Sequence, residues 1–150
     1  MDRRIASGLA AAALLTALAV ATPPATAVQQ PGPCALHRAD GESVHHFSKR
    51  LIVCSVRRFG PIPGGSTRAV CIARRESGLD PKATSSPTGR YLGLFQHDRR
   101  MWPGRYDGYT DPAWELSTTA LNGRSNAVVT IRMVEAIGTW KAAGWPPKSC

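Results

Sequence analysis

Apolar residues recur at helical spacing in three stretches of the chain. Across residues 43–59, Val44, Phe47, Leu51 and Cys54 fall on one face, and Gly60-Pro61 stops the pattern. After a turn-rich link at 61–65, Ser66 or Thr67 is placed to cap a second helix. Its Ala69, Ile72, Ala73 and Glu76 share a face at i, i+3, i+4 and i+7, and Gly78 stands just past its end. Late in the chain, Ser125 is placed to cap a helix with Ala127, Val128, Ile131 and Val134 inward, and Gly138 is its stop. Asp111-Pro112 and Asn122-Gly123 carry start and stop signals that bracket one more helix between these.

The helical pattern breaks between residues 80 and 100, where Gly and Pro are too frequent. Tyr91-Leu92-Gly93-Leu94-Phe95 reads as a short strand or a buried extended segment, and residues 101–110, MWPGRYDGYT, as an aromatic loop. The chain shows no internal repeat and no linker long enough to separate domains. The fold class expected is mainly α (α+β), with a short β or loop insertion after the second helix.

Residues 1–27, MDRRIASGLAAAALLTALAVATPPATA, have the build of a secretory leader. Arg3 and Arg4 precede an apolar run, and Ala25-Thr26-Ala27 is a small-residue cleavage site. The apolar run is shorter than the roughly 20 residues that span a bilayer, so export is expected rather than membrane insertion. Without Asp2, Arg3 and Arg4, residues 28–150 carry 17 basic and 9 acidic residues, a formal charge of +8. No nucleic-acid motif accompanies that charge, and outside the cell a solvated basic surface accounts for most of it. All four cysteines, Cys34, Cys54, Cys71 and Cys150, lie in the exported part, which reads as two disulfides with three possible pairings. No CxxC pair or HExxH helix suggests a metal.

Glu76 is the acid that calls for explanation. It extends the apolar stripe of the second helix and sits in the last turn, where the helix dipole is negative. Partial desolvation there would raise its pKa and suit it to donate a proton, an argument best known from lysozyme. Arg74, Arg75 and Arg132 are the basic neighbours that would instead make it an ordinary ion-pair partner.

Glu76-Ser77-Gly78-Leu79-Asp80-Pro81-Lys82-Ala83, then Ser85, Gly89 and Gly93-Leu94-Phe95-Gln96, resembles the core motif of lysozyme-like lytic transglycosylases. Trp102, Asn126, Gly138 and Trp140 continue the likeness to secreted actinobacterial members and to the related resuscitation-promoting factors. The likeness covers residues 69–150. Two departures are a longer 85–93 segment and His97 where an apolar residue is common.

The resemblance implies a lysozyme-like catalytic core over 66–150, preceded at 28–65 by an extension and the first helix. It makes Glu76 the general acid and base at the bond between N-acetylmuramic acid and N-acetylglucosamine of peptidoglycan. Ser85 and Gln96 would line the groove, with Tyr91, Trp102, Tyr106 and Tyr109 as sugar-stacking walls, and Trp114 and Trp140 as core. The enzyme would act as a secreted, cell-wall monomer on glycan strands without cofactor or metal. With one defensible acid, transglycosylation is favoured over hydrolysis, which pairs two carboxylates. A non-catalytic wall-binding protein is the remaining alternative. Disulfides Cys71–Cys150 and Cys34–Cys54 are favoured. Cys71 points away from the stripe, the aromatic tail before Cys150 must fold back to bury Trp140 and Trp145, and family members with a final Cys look built this way.

Overall fold

Ser43 accepts a hydrogen bond from the His46 N–H (3.2 Å) and so opens α1 (Val44–Phe59), whose Leu51, Ile52 and Ser55 turn inward. Gly60 ends it. The structure, a computed structural model, describes residues 31–146 and 150; the leader expected at 1–27 lies outside the described residues.

The second helix, α2 (Gly65–Ser77), starts before the expected Ser66 or Thr67 cap. Its cap is Gly64, in the left-handed conformation and without a side-chain bond. Gly78, also left-handed, ends it as the sequence indicates. Two short strands follow. β1 (Tyr91–Leu92) and β2 (His97–Asp98) pair antiparallel, Tyr91 opposite Asp98 and Leu92 opposite His97. The strand expected through Phe95 is therefore only two residues long, and residues 93–96 form a tight buried turn.

Two expectations for the next segment are corrected. The aromatic loop at 101–110 is instead a helix, α3 (Trp102–Tyr109), with Pro103 in its first turn, where a missing N–H costs nothing. Gly104 and Gly108 obscured the period in the sequence. The helix expected between Asp111-Pro112 and Asn122-Gly123 does not form. Asp111 instead closes a turn, its carboxylate accepting from the Ala113 N–H at 2.9 Å. Asn122 opens α4 (Gly123–Ile137) rather than closing a helix, accepting from the Ser125 N–H at 3.0 Å. Ser125, expected as the cap, is buried inside α4.

α4 is the central helix. It packs on α1 and on α3, and α1 packs in turn on α2. Leu51 and Ile52 of α1, Ala69, Ile72 and Ala73 of α2, and Ala127, Ile131 and Val134 of α4 share one cluster with Leu94 and Phe95. A second cluster joins Leu92, Trp102, Ala120 and Val129. The architecture is mainly helical, with four helices and one two-stranded sheet among the described residues. None of these helices is long and apolar enough to cross a membrane.

Cys34 is bonded to Cys54, holding the N-terminal segment to α1. Cys71 is bonded to Cys150, holding the tail to α2 with 79 residues of separation. In the chain-entropy picture the longer link stabilises by up to about 4.5 kcal/mol.

The turn at 93–96 is held from α4. Asn126 is fully buried; its side-chain oxygen accepts from the Phe95 N–H (3.0 Å), and its amide donates to the carbonyls of Ala120 (2.8 Å) and Leu92 (3.3 Å). Replacing Asn126 with Ala strands three buried backbone groups, and a loss of about 3 kcal/mol or more is expected. Urea denaturation of the two proteins measures it, and a loss below about 1 kcal/mol would show that water or a shifted turn satisfies those groups.

Candidate functional site

The end of α2 meets the 93–96 turn through Ser77. Its hydroxyl lies 2.9 Å from the Leu94 carbonyl and 3.0 Å from its own helix at Ala73, so the residue after Glu76 is a strut between helix and turn. Gly78 then reverses the chain, and Leu79, with φ of 69°, drops into the core.

That reversal corrects one expectation. Glu76 is exposed rather than partly desolvated, because Leu79 takes the next core position along the stripe that Ala69, Ile72 and Ala73 begin. Glu76 borders a depression of about 110 Å³ with Ile72, Arg75, Trp145, Pro146 and Cys150.

Ser85, Tyr91 and Gln96 are brought together around the small sheet. The Ser85 hydroxyl accepts from the Tyr91 N–H (2.9 Å), while the Ser85 N–H donates to the Tyr91 carbonyl (3.0 Å). Gln96, with φ of 50°, donates from its amide to the carbonyls of Gly93 (2.9 Å) and Ala83 (3.2 Å). Tyr91 is 39% exposed, and the Arg90 guanidinium lies 5.1 Å from its ring centre. Arg90 also bonds Asp98 at 2.8 Å. The Arg100 N–H and the Arg90 side chain hold the Asp98 carboxyl below the usual carboxylate range.

Trp102 stands apart from this group, and its expected role as a sugar wall is corrected. It is buried in the second cluster, donating from its indole to the Thr118 carbonyl at 2.6 Å. Residue type alone does not separate a stacking wall from a core aromatic. Tyr106 is half-buried, with its hydroxyl donating to the Leu116 carbonyl at 2.7 Å, and Tyr109 packs against both clusters. Trp140 is buried as expected, and Trp114 is half-buried against Phe59.

Compared with models of protein families, with curated proteins and with solved structures, the chain matches none. Its chemistry is therefore read from its own side chains. Among the described residues, no group of three or more His, Cys, Asp and Glu side chains is arranged to hold a metal ion.

His97 carries polar structure that the sequence did not disclose. It is fully buried, edge-on to Trp102 (5.0 Å) and Trp145 (5.2 Å). Arg105 donates to its Nδ1 at 2.9 Å, which leaves Nε2 to donate to the Thr130 hydroxyl at 2.7 Å; that hydroxyl donates onward to the Asn126 carbonyl at 2.7 Å. The sequence signal was a His after Gln96, where the resembled motif commonly has an apolar residue. Its partners are Arg105 on α3, which follows directly, and Thr130 on α4, 33 residues on.

Burial, and then the Arg105 charge, lower the His97 pKa from 6.5 to about 3. Between those values the unfolded chain binds a proton that the folded chain refuses, so stability rises with pH across that window. Lowering the pH from 7 to 5 is expected to cost about 2 kcal/mol through this group. His97→Gln keeps a donor and an acceptor without titrating and should flatten that slope. Urea denaturation at three pH values compares the two proteins, and equal slopes would exclude His97 as the source.

Proposed function

We propose that the chain is an exported enzyme with a lysozyme-like fold that cleaves the N-acetylmuramic acid to N-acetylglucosamine bond of peptidoglycan, as a lytic transglycosylase. The observation that carries the reading is the Ser77 strut, which fixes the exposed Glu76 at the junction of α2 and the buried 93–96 turn. The motif that resembles the family is thus physically coherent. Its Ser is the strut, its Gly the helix stop, and its Gly-Leu-Phe-Gln block the turn that the strut grips.

Glu76 acts first as acid. A saccharide lying over the carboxyl excludes water from it and favours the protonated form. Its proton passes to the glycosidic oxygen as the bond from that oxygen to the muramoyl C1 breaks. The resulting carboxylate then takes the proton of the muramoyl 6-hydroxyl, whose oxygen closes on C1. The product is a 1,6-anhydro ring, and no water is consumed. Gln96, its amide nitrogen committed to the turn, keeps its side-chain oxygen to accept from a sugar hydroxyl. Tyr91 offers an exposed ring face.

Three other carboxylates are tied into the surrounding backbone and side chains. Asp80 accepts from the Lys82 N–H, Asp111 from the Ala113 N–H, and Asp98 is paired with Arg90. These three are engaged in local structure, which supports single-acid chemistry over the paired carboxylates of a hydrolase.

Glu76→Gln is expected to lower release of muropeptides from purified sacculi by about 100-fold or more, with the melting temperature nearly unchanged. Mass spectrometry of the wild-type products should show 1,6-anhydro ends. Reducing ends would assign a hydrolase. No release by folded protein from several wall types would assign a binding protein. Activity of the variant within a few-fold of wild type would remove Glu76 from the chemistry.

A further inference from the structure

Charge is unevenly placed in this chain. Residues 44–77, which hold α1 and α2, carry seven Lys and Arg against one acid, Glu76, and so supply most of the +8 of residues 28–150. α1 itself contains no Asp or Glu.

Five of these cations, Lys49, Arg50, Arg57, Arg58 and Arg74, border a groove along the helix pair. One section, of about 660 Å³, has Leu36, Val53 and Cys54 in its floor and Lys49, Arg57 and Arg58 at its rim. A second section, of about 320 Å³, shares Lys49 and Val53 and continues onto α2 at Val70, Cys71 and Arg74. Lys49, Arg57, Arg58 and Arg74 are exposed. Of the groove's Lys and Arg side chains only Arg50 has an acid partner among the described residues, Glu42 at 2.8 Å. Lys49 and Arg57 stand about 12 Å apart along the axis of α1. Both disulfides contribute a cysteine to the lining, so the two sections are cross-linked to the rest of the fold.

Two anionic partners fit this shape poorly. A planar lipid surface would meet the rim and leave the apolar floor uncovered. Single-stranded nucleic acid binds by stacking its bases on aromatic rings, and no Phe, Tyr or Trp lines either section. A flexible chain whose phosphates are separated by short aliphatic spacers satisfies both parts of the groove. Its phosphates reach the rim cations and its spacers cover Leu36, Val53 and Val70.

We propose that the outer face of α1 and α2 is a docking groove for an extended phosphate polymer with short polyol spacers. It is separate from the surface that presents Glu76 and serves to hold the protein on such a polymer.

The test uses the folded full chain and a fluorescent glycerol–phosphate oligomer, with binding read by anisotropy over a salt series. Wild type should bind, with affinity falling steeply as salt rises. The triple variant Lys49→Gln/Arg57→Gln/Arg58→Gln should bind about tenfold or more weakly, with a salt slope shallower by about 2 to 3. Arg90→Gln/Arg99→Gln/Arg100→Gln removes the same charge elsewhere and should change affinity by less than about threefold. Circular dichroism confirms that all three proteins are folded. Equal weakening by both variants would overturn the groove in favour of diffuse attraction. So would absence of binding by wild type, or tighter binding of single-stranded DNA with as many phosphates or of anionic vesicles.

Discussion

The backbone of residues 93–96 is largely buried, irregular and without ladder partners, and the structure is arranged around satisfying it. A buried peptide group without a hydrogen bond costs about 1–3 kcal/mol, so the groups that the turn and Ala83 do not satisfy recruit side chains from elsewhere. Asn126 comes from α4, Ser77 from the end of α2, and Trp145 from the tail, its indole donating to the Phe95 carbonyl at 2.8 Å. Gly93 shows how tight the arrangement is. Its φ is 74°, and a Cβ there would stand 2.2 Å from the Ala120 carbonyl oxygen. Helix, turn and tail are thereby fixed relative to one another by one short segment, and Glu76 is carried on the helix that this segment holds.

The parts of the fold that were legible in the sequence are those where periodicity and caps agree. In α1, α2 and α4 the apolar spacing and the stop signals point to the same elements, because those helices bury one face against a common core. α3 was hidden because Pro103, Gly104 and Gly108 mimic a loop; the Pro sits in the first turn and the glycines face open space. The false helix before α4 had boundary signals and no stripe. Asp111 serves its own turn, and Asn122 serves the helix that follows it.

The candidate site was legible as a motif and not as an environment. The position of Glu76 at a helix end follows from the spacing of Ala69, Ile72 and Ala73. Its exposure does not, because it depends on Leu79 adopting a left-handed backbone and filling the core in its place. The roles of Ser85 in bracing β1 and of Gln96 in bracing the turn, and the burial of Trp102, likewise depend on pairings between segments that periodicity does not encode. Arg105, His97, Thr130 and Asn126 form a polar chain through the interior that joins α3, β2 and α4. Such a chain is specified only once α3 and α4 have met.

The two disulfides differ in what must already exist when they close. Cys34 and Cys54 are separated by 20 residues, and their meeting requires little beyond α1 and its lead-in. Cys71 and Cys150 enclose the sheet, α3, α4 and the aromatic tail, so their encounter is entropically rarer and is promoted by prior docking of Trp140 and Trp145. Oxidation therefore has a built-in order, the short staple first and the long one as a latch on an almost finished fold. A chain with the first bond and without the second would have a secured α1 and an untethered tail.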